Sequence, residues 1–190
     1  MGVEGIEAPM WGQHFCMFFN DKDELLKLTV PFIKAGLEDH EYCLWITGDP
    51  LTERSAFHAL EAVVPHAREY LATKQLEILS HTQWYLSSGR FDGQTVLENW
   101  AVKAAHAETQ GFAGLRITGN PVWLDNENDW RSFRAFEELV HQRIRNERAI
   151  ALCTYPLALC EGEHIMQTLE THSSALTLVN GRWRQLELSG

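Results

Sequence analysis

The chain has 190 residues, of which 45% are hydrophobic and 22% are charged, a composition typical of one globular domain. Its 16 Lys and Arg residues against 26 Asp and Glu residues give a formal net charge of −10. Because such a surface repels phosphate backbones and anionic lipid headgroups, we expect no direct binding to nucleic acid and none to a membrane.

The cysteines and the first residues predict a protein of the reducing cytoplasm. The 4 cysteines stand far apart, with no CxxC pair and no zinc-ligand spacing. Residues 1–11 contain no basic segment followed by an apolar one, so no secretory signal is expected. No apolar run approaches the roughly 18 residues needed to span a bilayer.

An N-terminal extension over residues 1–12 precedes one domain over residues 13–190, in which strands and helices alternate. Residues 14–19 (HFCMFF) are short, apolar and aromatic, which is typical of a buried strand. Asn20 or Asp21 then caps a helix whose apolar residues recur at helical spacing. A second strand at 42–47 leads to a helix at 52–70, which Pro65 can break.

The second half of the chain continues the same alternation. The next predicted elements are a strand at 76–79, a polar loop at 81–93, a helix that contains Val96, Trp100 and Ala104, and a strand at 115–118. A helix at 129–144, a strand at 149–154 and a helix from about 161 to 172 follow. Asp129 is expected to cap the helix at 129–144. Two strand-like runs around Asn180-Gly181 then predict a C-terminal hairpin.

Five strands that alternate with helices predict parallel βαβ units with helices on both faces of the sheet. We therefore predict an α/β fold, a three-layer sandwich with a mostly parallel five-stranded sheet. The closing hairpin would add antiparallel strands at one edge.

The turn after the first strand argues against nucleotide binding. Residues 20–24 (NDKDE) contain no glycine and no GKS or GKT ending, and their carboxylates stand where a phosphate would lie. No signature of a hydrolase, a dinucleotide-binding protein or a glycosidase is present in the sequence. We predict no catalytic residue, no cofactor and no metal.

His14 and Cys16 form the most distinctive local pattern. Residues i and i+2 of a strand point to the same face, so the two side chains reach one spot. An imidazole and a thiol together can bind a soft metal, act as base and nucleophile, or hold a small polarizable ligand. The alternative is a buried thiol beside an edge histidine, since no third ligand lies nearby in the chain. The helical histidines, His141 among them, are interpreted as surface or packing residues.

Several residues near the carboxyl ends of strands can wall a pocket, because ligands of open α/β sheets bind outside those ends. Trp45, Thr47 and Tyr155 stand at such positions, and Trp123 lies in a loop that could form a lid. Alternatively, the aromatic residues seal the edge of the core. Arg116, in an apolar strand, must either pair with a carboxylate or anchor an acceptor atom of a ligand.

Five segments occur in a characteristic order between Gln13 and Trp183. They are HFCMFFNDKDELLKLTVPFIKAGLEDHEYCLWIT (14–47), WYLSSGRFD (84–92), LRITGNPVW (115–123), CTYP (153–156) and THSSALTLVNG (171–181). Together they resemble the MEDS family, the methanogen/methylotroph sensory domain first recognised in a dichloromethane-responsive regulator. The resemblance implies a RecA-like fold that has lost its phosphate loop and a role in sensing small hydrocarbon derivatives. It also implies that His14 and Cys16 are the family's histidine and cysteine, which are proposed to contact the ligand.

These observations together predict a cytoplasmic sensor domain without enzymatic activity. We expect it to bind a small organic molecule and, because the sequence shows no effector module, to signal through a separate regulatory protein. The expected ligand-binding residues are His14, Cys16, Trp45, Thr47, Arg116, Trp123 and Tyr155. The alternatives are a metal- or thiol-dependent enzyme that uses His14 and Cys16, and a degenerate ATPase fold kept as an interaction scaffold. The sequence is compatible with a homodimer, although no residue pattern points to one.

Overall fold

The computed structural model describes residues 1–188, in which seven strands form a single sheet. The strands are β1 (His14–Phe19), β2 (Tyr42–Thr47), β3 (Leu76–Ser80), β4 (Leu115–Gly119), β5 (Ala149–Pro156), β6 (Ser174–Val179) and β7 (Arg182–Glu187). Their order across the sheet is β3-β2-β4-β5-β1-β6-β7. Every neighbouring pair is parallel except β6 and β7, which are antiparallel.

Within residues 1–188, seven α-helices cover the two faces of this sheet. The helices are α1 (Lys22–Glu38), α2 (Glu53–Glu61), α3 (Ala67–Ala72), α4 (His81–Tyr85), α5 (Gly93–Thr109), α6 (Glu127–Ile144) and α7 (Gly162–Glu170), and Leu157–Leu159 form a 3-10 turn. Helices α1, α2 and α3 share one hydrophobic core with one face of the sheet, and α4, α5 and α6 share a second core with the other face. The predicted three-layer α/β sandwich is confirmed.

The prediction of a five-stranded sheet is wrong, because β6 and β7 join the same sheet. Helix α7 returns the chain so that β6 runs parallel to β1, with Cys16 opposite Ala175. The C-terminal hairpin is present as predicted, and it extends the main sheet beyond β1 to seven strands. Strand β1 consequently lies inside the sheet, between β5 and β6.

Local signals place most helix boundaries. The Asp21 carboxylate accepts a hydrogen bond from the backbone N–H of Glu24 at 2.9 Å, which confirms the predicted cap of α1. Pro65 lies between the end of α2 and the start of α3, so the predicted break in that helical stretch is confirmed.

Local hydrogen bonds explain one predicted boundary that is wrong and one helix that was not predicted. Helix α6 begins before Asp129, because the side chain of Asn126 accepts hydrogen bonds from the N–H groups of Asn128 and Asp129. A short helix, α4, lies within the loop predicted at 81–93, since Ser80 and Gln83 form a capping box there.

Parts of the N-terminal segment 1–12 contact the rest of the protein, while Met10 is 70% exposed. Met1 and Val3 are only 5% and 9% exposed, and the N–H of Gly12 donates a hydrogen bond to the carbonyl of Ala149 at 2.8 Å. Among residues 1–188, no helix combines the length and the apolar character required to cross a membrane.

Candidate functional site

Four buried side chains from separate parts of the chain meet between the sheet and α6. They are His14 from β1, Glu137 from α6, Cys153 from β5 and His172 from the turn before β6. One nitrogen, oxygen or sulfur atom from each lies within 4.8 Å of those of the other three. The residues are 0%, 3%, 6% and 0% exposed, respectively. We refer to these four residues as the buried cluster.

His14 occupies the centre of the buried cluster. Its Nε2 atom lies 3.2 Å from Glu137 Oε2 and 3.4 Å from Cys153 Sγ. His172 Nε2 lies 3.6 Å from the same Glu137 oxygen, and Cys153 Sγ lies 3.9 Å from both carboxyl oxygens. The imidazole rings of His14 and His172 have centroids 3.9 Å apart. Two imidazole nitrogens, one sulfur and one carboxyl group therefore surround a common point in the core.

Strand register and helix periodicity bring these side chains together. In the parallel pair β1–β5, Cys16 stands opposite Cys153 and His14 stands opposite Ala151, so the side chains share one face of the sheet. Helix α6 buries one stripe against that face, and Glu137 lies in this stripe, four residues after Phe133. A carboxyl group is thereby placed in the hydrophobic core beneath the helix.

The fourth member, His172, is held by its own turn. Its Nδ1 lies 2.7 Å from the carbonyl oxygen of Thr168, and because a carbonyl only accepts hydrogen bonds, Nδ1 carries the proton. The neighbouring Ser173 donates to the carbonyl of His14 through both its N–H (2.8 Å) and its hydroxyl (2.9 Å). The turn before β6 is therefore fixed to β1, and Nε2 of His172 is directed at the other three members of the buried cluster.

Burial controls the charges of the cluster. It lowers the pKa of His14 to about 3, with a further lowering by the nearby His141, and it lowers the pKa of His172 to about 3. Burial also raises the pKa of Glu137 to about 7 and raises the pKa of Cys153 well above that of an exposed thiol. At neutral pH the two imidazoles and the thiol are therefore uncharged, and the carboxyl group of Glu137 takes up a proton more readily than an exposed carboxyl group does.

Two small cavities adjoin Glu137. One has a volume of about 20 Å³ and is lined by Cys153 and by the aromatic side chains of Trp84, Tyr85, Trp100 and Phe136. We call it the aromatic cavity. The second measures about 10 Å³ and lies toward α7. The aromatic cavity has room for one water molecule, with polar atoms from Glu137 and Cys153 at its wall.

Four of the seven predicted ligand-binding residues lie on this face of the sheet. Cys16 belongs to the same core layer as Cys153, and the ring of Tyr155 meets that of His172 edge to face at 6.0 Å. The ring of Trp123 lies 6.0 Å from that of Tyr85, which lines the aromatic cavity. With His14, these residues form one continuous layer.

The other three lie on the opposite face. Trp45 packs in the core beneath α1, and the Thr47 hydroxyl donates to the carbonyl of Leu79 at 3.2 Å. Arg116 forms two hydrogen bonds with Glu41, at 2.5 and 2.9 Å. Of the two roles considered for Arg116, pairing with a carboxylate is the one present in the structure. The sheet separates these three residues from the buried cluster.

The buried cluster also lies away from the expected edge of the sheet. His14 is the first residue of β1, and His172 precedes β6, so the cluster sits near the amino ends of these strands. A ligand site outside the carboxyl ends was expected instead.

Sequence reasoning missed three of the four cluster residues. Glu137, Cys153 and His172 were not singled out as functional. One signal was available: an acidic residue within the apolar stripe of α6 is costly to bury unless it has partners. The histidine one turn later, His141, is also buried, which agrees with its interpretation as a packing residue.

Comparison with known proteins identifies the family. The sequence model of the MEDS family, described as "MEthanogen/methylotroph, DcmR Sensory domain", matches residues 13–173. A curated relative, the transcriptional repressor DcmR of Methylorubrum extorquens, is 24% identical over 162 residues, which cover 84% of this chain. The chain spans only 57% of the length of that repressor.

Two solved structures share the fold. A KaiC-like protein from Pyrococcus horikoshii superimposes with a TM-score of 0.59 at 11% identity, over 92% of this chain and 76% of that one. The flagellar accessory protein FlaH from Methanocaldococcus jannaschii gives a TM-score of 0.60 at 13% identity, over 93% and 76% of the two chains. These neighbours support the RecA-like form of the sheet predicted from the sequence, and at such low identity the similarity concerns the fold alone.

Proposed function

Because this chain belongs to the MEDS family of sensory domains, we propose that it binds a small organic molecule in the aromatic cavity beside Glu137 and Cys153. The observation that carries this proposal is the cavity itself, whose lining combines aromatic side chains with Glu137 and Cys153. The family and the regulator homologue indicate a sensory or regulatory role, and the ligand site is our assignment within it.

The cavity favours a ligand of a few heavy atoms with little polarity. Aromatic faces and edges suit apolar and halogenated carbon groups, while the thiol and the carboxyl group can meet one polar or polarizable atom. Since about 20 Å³ holds a single water molecule, a larger ligand requires Trp84 or Tyr85 to move outward. Such a movement would be the first structural change of the sensor.

The turn after β1 supports sensing over nucleotide chemistry. The carboxylate of Glu24 accepts hydrogen bonds from both the backbone N–H and the side-chain amide of Asn20, each at 2.9 Å. The Asp21 carboxylate caps α1. Both groups are used within the turn, and their negative charge disfavours a phosphate there. We therefore favour sensing over nucleotide hydrolysis as the function of this fold.

Helix α6 is the element best placed to carry a signal. Its buried stripe contributes Glu137 to the cluster, and its outer face carries exposed residues such as Glu138, which is 49% exposed. A ligand that prefers one position of α6 would shift the population of two states, which a separate regulatory protein could distinguish. We place this signalling in the cytoplasm, where the four cysteines, which are free thiols, stay reduced.

The proposal is tested with dichloromethane as the probe. Titration of the isotopically labelled protein is followed by backbone amide NMR shifts, and saturable shifts at residues around the aromatic cavity are expected. The variant Gly119→Ala places a methyl group about 2.8 Å from Tyr85 Oη and 3.2 Å from Cys153 Sγ, so it should weaken binding at least about tenfold.

The matched control is Gly162→Ala, where an added methyl meets open space, and its affinity should equal that of the wild type. Equal affinities of Gly119→Ala and the wild type would contradict the assigned cavity. An interaction scaffold that binds no small molecule predicts no saturable shift in any of the three proteins.

A further inference from the structure

The four donors of the buried cluster match the ligands that proteins offer to Zn²⁺, namely imidazole nitrogen, thiolate sulfur and carboxylate oxygen. We propose that His14 Nε2, the Glu137 carboxylate, Cys153 Sγ and His172 Nε2 bind a single Zn²⁺ ion. This inference rests on the four donor atoms and does not depend on the binding of an organic molecule. The ion and the organic molecule are measured in separate experiments.

The spacing of the donor atoms fits a tetrahedral site. Ligand atoms that lie about 2.0–2.3 Å from Zn²⁺ are roughly 3.3–3.8 Å from one another in a tetrahedron. The distances from His14 Nε2 to Glu137 and Cys153 are 3.2 and 3.4 Å, that from His172 Nε2 to Glu137 is 3.6 Å, and that from Cys153 to Glu137 is 3.9 Å. All the donor atoms lie within 4.8 Å of one another, so side-chain shifts of up to about 1 Å would bring every pair into the tetrahedral range.

The orientation of His172 is a second, independent observation. Its Nδ1–H donates to the carbonyl of Thr168, which is the outer contact that metal-ligating histidines usually make. Nε2 is left with a lone pair, is fully buried, and has no hydrogen-bond partner among residues 1–188. It faces Glu137 Oε2 at 3.6 Å, where a cation would remove the repulsion between an imidazole lone pair and a carboxylate oxygen.

Charge balance supports a divalent ion in this position. The two imidazoles are neutral ligands, and the thiolate and the carboxylate together cancel the two positive charges of Zn²⁺. The thiol proton, and the carboxyl proton where it is present, pass to water when the ion binds, and no electrons are transferred. A neutral site is what the surrounding apolar side chains can accommodate at low cost.

Metal content tests the site directly. The full chain is unfolded with a chelator, refolded with Zn²⁺, freed of excess ion and analysed by inductively coupled plasma mass spectrometry. We expect about one equivalent of Zn²⁺ in the wild type and less than about a tenth of an equivalent in Cys153→Ser and His172→Gln.

Matched controls use the same residue types elsewhere. Cys43→Ser removes a buried thiol from the opposite face of the sheet, and His58→Gln changes an exposed histidine, so both should retain the ion. A wild-type protein that refolds in the presence of Zn²⁺ but retains no stoichiometric ion would overturn the proposal. Equal loss of metal in Cys43→Ser and Cys153→Ser would also overturn it.

Binding of Co²⁺ to the wild type tests the site without any variant, so the result does not depend on whether a variant folds. Titration of the metal-free wild type with Co²⁺ should produce a thiolate-to-cobalt charge-transfer band and tetrahedral visible bands that saturate at about one equivalent. Absence of both bands would overturn the proposal. The dichloromethane titration is repeated on the metal-free protein, so that failure of one proposal is distinguished from failure of the other.

Discussion

Glu41 and Arg116 form a two-point ion pair inside the protein, on the face of the sheet opposite His14. The two residues are only 4% and 1% exposed, and the guanidinium carbon lies 4.7 Å from the centre of the Phe32 ring. Because neither charge reaches water, each is the counter-charge that offsets the desolvation cost of the other. The pair ties β4 to the turn between α1 and β2.

Removal of one partner should be strongly destabilising. Glu41→Gln leaves a buried guanidinium without its counter-charge, so we expect the free energy of unfolding to fall by about 3–5 kcal/mol. The double variant Glu41→Leu/Arg116→Met removes both charges and should recover much of that loss. Urea unfolding followed by circular dichroism measures both effects. The surface variant Glu38→Gln is the control and should change the free energy of unfolding by less than about 1 kcal/mol. Equal stability of Glu41→Gln and the wild type would contradict the expectation.

Gly36 keeps the space that Arg116 occupies. A methyl group at this position of α1 would lie 2.5 Å from Arg116 Nε and 2.7 Å from Cys43 Sγ. Alanine normally favours a helix interior over glycine by about 1 kcal/mol, but overpacking costs about 1–3 kcal/mol, so Gly36→Ala should lower the thermal unfolding midpoint. Gly162→Ala, at the start of α7, meets open space and should leave the midpoint unchanged or slightly raised. A raised midpoint for Gly36→Ala would show that this packing is loose.

Cys43 should make stability depend on pH in the alkaline range. Burial raises the pKa of its thiol, Arg116 opposes this, and Glu41 and Asp39 add to it. The thiol of the unfolded chain loses its proton near about pH 8.5, so the stabilisation is complete below that pH and is lost as the pH rises toward the folded value. Between about pH 9 and 11, the wild type should lose up to about 1.4 kcal/mol more per pH unit than Cys43→Ala. Urea unfolding at several pH values measures this difference, and parallel curves would contradict it.

Cys160 should react slowly with alkylating reagents although it is only half-buried. Burial raises the pKa of its thiol to about 11, which leaves little thiolate at pH 8. We expect iodoacetamide to modify it at least about tenfold more slowly than free cysteine, as measured by peptide mass spectrometry. Cys16, Cys43 and Cys153 are at most 6% exposed and should react only after unfolding. A rate for Cys160 equal to that of free cysteine would refute this prediction.

Local pattern was sufficient for most elements of the fold. The apolar runs at residues 14–19 and 42–47 predicted β1 and β2 with the bounds that the structure has. Asn180 and Gly181 predicted the hairpin, and both have positive φ angles, 51° and 74°, as such a tight turn requires. The parallel pairing of β6 with β1 could not be predicted in this way, because it joins segments about 160 residues apart in the chain.

The same distinction applies to the buried cluster. Strand alternation placed His14 and Cys16 on one face, since it depends only on neighbouring residues. Cys153 is 139 residues away from His14, and its approach depends on the order β5-β1-β6 in the sheet. The alternation of side chains along a strand does not show which face of β2 or β4 lies on the same side of the sheet as His14. Trp45 and Arg116 were therefore predicted to bind the ligand together with His14, although they lie on the other side.

The hydrogen bonds between Ser173 and His14 have a kinetic consequence. The N–H and hydroxyl of Ser173 both donate to the carbonyl of His14, and the N–H of His14 donates to the Ser173 hydroxyl at 3.0 Å, so the turn over the cluster opens only when these bonds break together. An ion or a molecule should then enter or leave the cluster only through local unfolding of this turn. Hydrogen exchange at the amide of Ser173 measures how often the turn opens. Whatever the cluster holds would have a long residence time. An ion or a molecule bound there would therefore stay in place through brief changes in its concentration outside the protein.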